Sequence, residues 1–345
     1  MRVLIVKLTS MGDLVQALPA LTDAQRAIPG IEFDWVVDES FAEIPGWHPA
    51  VINNLNTAHR RWRKTWWQSA ELKKFVGQLR SVRYDAVIDA QSNLKSAVVT
   101  MLSKGRKHGP DGKSVREWGA HLAYRARYAI PKDQLAIDRW RQLFASVLGY
   151  TQPTNSPDFG LTGVDWPAPD IKLPESPFLV FVQNASWPNK RWQIGHWQQL
   201  IEKAQEQGYA VLLPWGSDAE LSQARILAEG RENARVLPKL SLTELAVLLR
   251  ASAGAVCVDT GLAHVSAALD VPTVTLYGAT DPQLIGATGG QSVHLEVEGY
   301  GCAPCYKRIC AVADYRGEEA LCMKTLSVTP VWNSLLSVMG EGGNG

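Results

Sequence analysis

Within Val258-Asp259-Thr260-Gly261-Leu262-Ala263-His264, an acid, a hydroxyl, a glycine and a histidine fall within six positions. The apolar run Ala253-Gly254-Ala255-Val256-Cys257 precedes them, and Ala263 to Leu269 has helical character. A buried strand that turns through Asp-Thr-Gly into a helix leaves backbone N–H groups unpaired at the helix start. Those donors, together with the helix dipole, attract phosphate. Polar side chains beside a phosphate cradle suit a sugar nucleotide. A lone helical histidine is more often structural, but Asp259 and Gly261 ahead of His264 favour a functional reading.

Other loops carry further chemistry. Thr9-Ser10-Met11-Gly12-Asp13 follows the strand-like Arg2 to Leu8. Asp13 suits a helix N-cap. It equally suits a general base, since Gly12 lets a substrate approach closely. No G-x-G-x-x-G is present there, which argues against a dinucleotide cofactor. Gln183 to Trp192 places Lys190 past another strand, where an ammonium would neutralise a departing diphosphate or simply be solvated. Glu220 opens a helix after Pro214-Trp215-Gly216; it is either a ribose acceptor or a first-turn acid favoured by the dipole. His59-Arg60-Arg61-Trp62-Arg63-Lys64-Thr65-Trp66-Trp67 is the densest basic-aromatic run. It suits an anionic lipid or phosphosugar surface, and Arg116 would extend it. A solvated helix face is the plain alternative.

These loops need strands to hold them. Apolar runs at Arg2–Leu8, Phe33–Val37, Ala86–Asp89, Phe178–Val182, Ala210–Trp215 and Thr273–Gly278 alternate with helical spacing. The first helix is expected over Leu14–Arg26 and the last over Pro330–Met339. Such alternation predicts parallel sheets wrapped by helices. At 345 residues two domains are expected, with a Pro-rich linker over Thr151–Pro177. The expected fold class is α/β, two Rossmann-like domains facing a central cleft, with ligands at the carboxyl ends of strands. The expected boundaries are 1–165, 166–328, and a 329–345 helix and tail packing back toward the N-terminal domain.

The net charge is +1, so any anionic partner must meet a local patch, and nucleic acid is not expected. Neither a signal-like segment nor a run of membrane-spanning length is read, so a cytoplasmic location is expected. Of the five cysteines, Cys257 reads as core. Cys302, Cys305, Cys310 and Cys322 form C-x2-C-x4-C-x11-C, open to structural zinc, free thiols or an oxidised pair.

Nearly the whole chain resembles the bacterial lipopolysaccharide heptosyltransferases of glycosyltransferase family 9. The resemblance is carried by Ser10-Met11-Gly12-Asp13, Leu18-Pro19-Ala20-Leu21-Thr22-Asp23, Arg60-Arg61-Trp62-Arg63-Lys64 and Val87-Ile88-Asp89-Ala90-Gln91. In the second half it is carried by Leu213-Pro214-Trp215-Gly216, Val258-Asp259-Thr260-Gly261-Leu262 with His264, and Thr280-Asp281-Pro282. The Arg60–Lys64 segment points to the branch that adds the first inner-core heptose. The resemblance implies a GT-B fold, with acceptor on the N-terminal domain and donor on the C-terminal domain. It implies inverting transfer of L-glycero-D-manno-heptose from ADP-heptose to the 5-hydroxyl of the inner Kdo of Kdo2-lipid A. Asp13 would be the general base and Lys190 would hold the donor phosphates. Ala185, Ser186, Glu220, Leu240, Asp259, Thr260, Gly261 and His264 would line the donor site. Arg60, Arg61, Arg63, Lys64 and Arg116 would meet the acidic acceptor. No cofactor or catalytic metal is expected, and the enzyme is expected to be a monomer, peripheral on the inner face of the inner membrane.

The chain departs from the family pattern at Ser92-Asn93, where Gly is frequent, and at Gln16, Ala279 and Ala185. Alternatives are the second heptosyltransferase, another sugar-nucleotide enzyme of this fold, or a non-catalytic binder of anionic lipid or nucleic acid.

Overall fold

The computed structural model describes residues 1–59, 61–62, 70–312 and 320–340. Contacts divide the chain into Met1–Val164 and Asp165–Gly345, against the expected boundary at 165/166.

The first unit holds six strands: β1 (Arg2–Val6), β2 (Glu32–Asp38), β3 (Val51–Thr57), β4 (Arg83–Asp89), β5 (Lys104–Pro110) and β6 (Ala126–Tyr128). All pair in parallel, in the order β3-β2-β1-β4-β5-β6. Val3 to Val6 are buried without interruption, as a central strand covered on both faces requires. The single helix expected over Leu14–Arg26 is two, Met11–Val15 and Leu18–Ala27. Pro19 explains the second start, because a residue without N–H is tolerated only in a first turn. The helix Leu18–Ala27 meets the helix Ala136–Leu148 through a buried ion pair, Arg141 Nε to Asp23 Oδ2 at 2.6 Å.

The second unit repeats the plan with β7 (Phe178–Val182), β8 (Ala210–Leu213), β9 (Ala234–Val236), β10 (Gly254–Val258), β11 (Thr273–Tyr277) and β12 (Ser292–Glu296). Its order, β12-β11-β10-β7-β8-β9, is again parallel throughout. Its core includes Phe181, Trp192 and Trp197, the two indoles edge to face at 5.1 Å. The last helix, Val328–Val338, buries Val331, Trp332 and Leu335 in this same core. Its apolar stripe therefore belongs to the second unit, where a separate 329–345 segment was expected.

In both sheets the strand order reverses direction once, between β1 and β4 and between β7 and β10. The crevice outside such a reversal, at the carboxyl ends of the strands, is where open α/β sheets bind ligands. Asp13 follows β1, and Asp259 follows β10.

Candidate functional site

At the β1/β4 reversal two loops are tied together. Lys7, directly after β1, is buried and donates from Nζ to the Ala90 carbonyl at 2.9 Å. Gln91 Oε1 accepts from Leu8 N and Thr9 N at 3.0 and 3.1 Å. The N-cap of Met11–Val15 is Ser10, and Asp13 sits in the first turn. Asp13 Oδ2 accepts from Ser10 N and Ser10 Oγ, both at 3.0 Å. This is the reciprocal geometry of a capping box rather than of an N-cap aspartate.

Burial alone would raise the pKa of Asp13. The charge of Lys7, the two Ser10 bonds and the charge of Arg116 outweigh it and hold the carboxyl below its ordinary value. Asp13 is therefore an anion at neutral pH, ready to accept a proton. Burial brings Lys7 down to about 8, against the opposing charge of Asp13. Arg139, half-buried and held below its usual value by burial, also feels Asp13, and its Nε has no hydrogen-bond partner among the described residues. Neither Lys7 nor Arg139 was given a role from the sequence. The signal for Lys7 was a cation directly after the apolar run Val3–Val6; Arg139, within a helix, gave none.

Arg116 is exposed, and its backbone N donates to the carbonyl and hydroxyl of Ser92, both at 3.1 Å. Ser92 has φ of 52°, the left-handed region that glycine enters freely. Its hydroxyl bond to Arg116 offsets the strain, a physical reason why serine stands here. Buried Asp89, which burial pushes up, shapes the same turn by accepting from Gln91 N, Ser92 N and Tyr124 Oη.

Of the basic-aromatic run, Arg60, Arg63 and Lys64 lie outside the described residues. Arg61 pairs with Glu39 and Glu71 at 2.9 and 2.8 Å. Trp62 is buried against Phe75, its indole donating to Glu71. Trp62 thus serves the core, and two carboxylates already neutralise Arg61.

At the β7/β10 reversal Lys190 Nζ lies 2.5 Å from Asp259 Oδ2, and Thr280 Oγ1 donates to the same oxygen. Lys190 closes a short helical turn, Pro188–Lys190, its ammonium 4.9 Å from the Trp187 ring centre. Thr260 is the N-cap of the helix Gly261–Ala268, and its side chain makes no cap bond. The amides at that helix start and the Lys190 ammonium give a positive pole despite Asp259. Arg191 Nε donates to the Ala185 carbonyl at 3.2 Å, and Arg308 donates to the Ser186 carbonyl at 3.3 Å. His264 is buried within the helix. Glu220 follows β8 and closes a capping box, accepting from Gly216 N at 2.7 Å and Ser217 N at 3.2 Å. Leu240, half-buried, precedes the helix Leu242–Ala251. The structure thus joins Lys190, Asp259 and the helix start, sets Glu220 on the neighbouring loop, and leaves His264 one turn in.

All five cysteines are free thiols. Among the described residues no three His, Cys, Asp or Glu side chains are set to hold a metal ion, so the zinc reading finds no support in their arrangement. Cys305 Sγ instead accepts from Asn189 Nδ2 at 3.1 Å, bracing the residue before Lys190.

The model of glycosyltransferase family 9 (heptosyltransferase) matches residues 72–316. The chain is 46% identical, over 352 residues, to lipopolysaccharide heptosyltransferase 1 of Pseudomonas aeruginosa, covering 98% of each chain. By contrast, lipopolysaccharide heptosyltransferase 2 of Salmonella typhimurium aligns with 31% of this chain and 33% of its own length, at 37% identity. The solved structure of Escherichia coli heptosyltransferase WaaC with ADP superposes with a TM-score of 0.84 at 41% identity, covering 98% of this chain and 100% of that one.

Proposed function

The chain belongs to glycosyltransferase family 9, the heptosyltransferases of lipopolysaccharide biosynthesis, and on that premise we propose a donor, an acceptor and a role for each residue. The donor is ADP-L-glycero-D-manno-heptose, bound by the second unit. The acceptor is the 5-hydroxyl of the inner Kdo of Kdo2-lipid A, bound by the first. The observation that carries the donor half is the Lys190 ammonium held by Asp259 at the start of the helix Gly261–Ala268. The WaaC structure, at 41% identity, is a complex with ADP, which supports the same nucleotide here.

The acceptor oxygen attacks the anomeric carbon as the bond to the ADP oxygen breaks. Its proton passes to Asp13, and ADP leaves with the bonding electrons. A single displacement of this kind inverts the anomeric centre. Asp13 is a weak base because its pKa lies low. Proton transfer is then late, when the attacking hydroxyl has become acidic. Negative charge grows on the diphosphate, and Lys190 with the amides at Thr260-Gly261 stabilises it. Glu220 accepts from the ribose through the carboxylate oxygen that the capping box leaves over. Arg116, joined by Lys7 and Arg139, meets the acceptor carboxylates, with Arg60, Arg63 and Lys64 as further contacts. The enzyme acts as a monomer at the cytoplasmic face of the inner membrane. Among the described residues no helix is long and apolar enough to cross a membrane.

Incubation of the protein with ADP-heptose and deacylated Kdo2-lipid A tests this reading. The expected outcome is ADP release matched by an acceptor mass gain of one heptose, with inverted anomeric configuration. ADP release without acceptor gain, or heptose found elsewhere than on Kdo, would overturn it.

A further inference from the structure

Five large apolar side chains of the first unit stand in solvent together. Trp118 is 82% exposed and Leu122 66%, while Leu94, Val98 and Met101 leave at least half of their surface open. The last three recur at the spacing that lines one face of the helix Leu94–Leu102. The segment bearing Trp118 and Leu122 packs beside that helix. Glu117 Oε2 accepts from Leu94 N at 2.9 Å, and a Cβ on Gly119 would lie 3.7 Å from Leu94 Cδ2. The other side of the helix buries Ser96, Ala97, Val99 and Thr100 in the core. It is therefore apolar on the face turned to water as well, with Lys95 its single charge. Soluble proteins rarely leave such a patch uncovered.

Beyond the helix the chain turns through Ser103 into β5. There Arg83, Lys104, Arg106, Lys107 and Arg125 line a recess of about 660 Å³ that has no carboxylate in its wall. Arg83, Lys104, Arg106 and Arg125 are exposed, with no ion-pair partner among the described residues. An apolar wedge with an exposed indole, next to unneutralised cations, complements acyl chains beneath anionic headgroups. A groove for a neutral peptide or a second copy would not need the cations.

We propose that the helix Leu94–Leu102 and the Trp118–Leu122 segment dock on an anionic phospholipid bilayer, while Arg83, Lys104, Arg106 and Arg125 meet headgroup phosphates. The purpose of this docking rests on the reading of a lipid-borne acceptor. Two residues before Trp118, Arg116 bonds to Ser92 and its charge bears on Asp13. One short segment thus joins the docking face to the acceptor site.

Sedimentation of the full chain with vesicles tests the assignment. The protein is expected to bind vesicles of phosphatidylethanolamine and phosphatidylglycerol and to bind phosphatidylcholine vesicles less. Replacing exposed side chains in a Met101→Ser/Trp118→Ser/Leu122→Ser variant is expected to weaken binding by about tenfold or more, with turnover on the deacylated acceptor kept within about twofold. Trp118→Ser alone moves in the same direction if the triple variant melts early. Lys104→Glu/Arg106→Glu is expected to lose the preference for phosphatidylglycerol and its salt dependence. Equal vesicle binding by the triple variant, no vesicle binding by the unaltered protein, or a dimer in sedimentation velocity that the triple variant breaks would each overturn the proposal. Failure of heptose transfer to the soluble acceptor would instead count against the catalytic reading and leave the vesicle result untouched.

Discussion

Lys7 and Asp13 set the electrostatics of the proposed acceptor site, and their pKa values shift for opposing reasons. Asp13 lies below its ordinary value, so the acid limb of turnover should fall below the usual carboxylate range. Lys7 is brought from 10.5 to about 8. Above that pH it loses the charge that, in the proposed role, helps attract an anionic acceptor. We predict that kcat/KM for the acceptor declines on the alkaline side with an apparent pKa near 8. Lys7→Met should lower the plateau and abolish that limb; an unchanged limb would refute the assignment. The same depression has a sign for folding. Between about 8 and 10.5 the unfolded chain holds a proton that the folded one has released, so this residue makes stability rise with pH across that window. Denaturant titrations can resolve that contribution by comparison with the Lys7→Met variant.

Among the elements, those with mainly apolar and β-branched sequence were legible. β1, β7, β10 and β11 are buried central strands, and the pattern that marks them is the one their burial demands. β3 (VINNLNT) and β5 (KGRKHGP) gave no such signal, because polar, glycine and proline residues interrupt them. β6, β9 and β12 lie at or near sheet edges and are short or half-exposed. The loops carrying Asp13, Lys190 and Asp259 were legible for a related reason, since each follows a strand of the clear kind. The pairing of Lys190 with Asp259 was not, since residues 69 positions apart meet only once β7 and β10 lie side by side. The exposed apolar face of Leu94–Leu102 was hidden as well, because exposure depends on what the fold leaves uncovered. Trp192 shows how an element holds the site. Fully buried, it donates to the Leu326 carbonyl at 2.8 Å and anchors the loop that ends two residues after Lys190. Trp192→Phe should cost about 2 kcal/mol in unfolding free energy, from a lost hydrogen bond and a small cavity, and weaken donor binding several-fold. Unaltered stability by denaturant titration would contradict this.

At the scale of the molecule, one sheet plan occurs twice, and the proposed chemistry falls at the same place in each copy. Both reversal points carry charged side chains on adjoining loops: Lys7 and Asp13 in one, Lys190 and Asp259 in the other. The proposed reaction divides along these lines, with acceptor activation on the first unit and leaving-group stabilisation on the second. If, as proposed, an ammonium and helix-start amides receive the diphosphate, turnover is predicted to persist in excess chelator. Loss of turnover that added divalent metal restores would show that the diphosphate is met otherwise. The division of labour is tested most directly by heptose transfer from saturating ADP-heptose in an Asp13→Asn variant whose donor affinity is measured alongside. The expected result is turnover lower by about 10²- to 10⁴-fold, the usual range for a lost general base, with donor affinity unchanged. Turnover close to that of the unaltered protein, or a matching loss of donor affinity, would contradict the account.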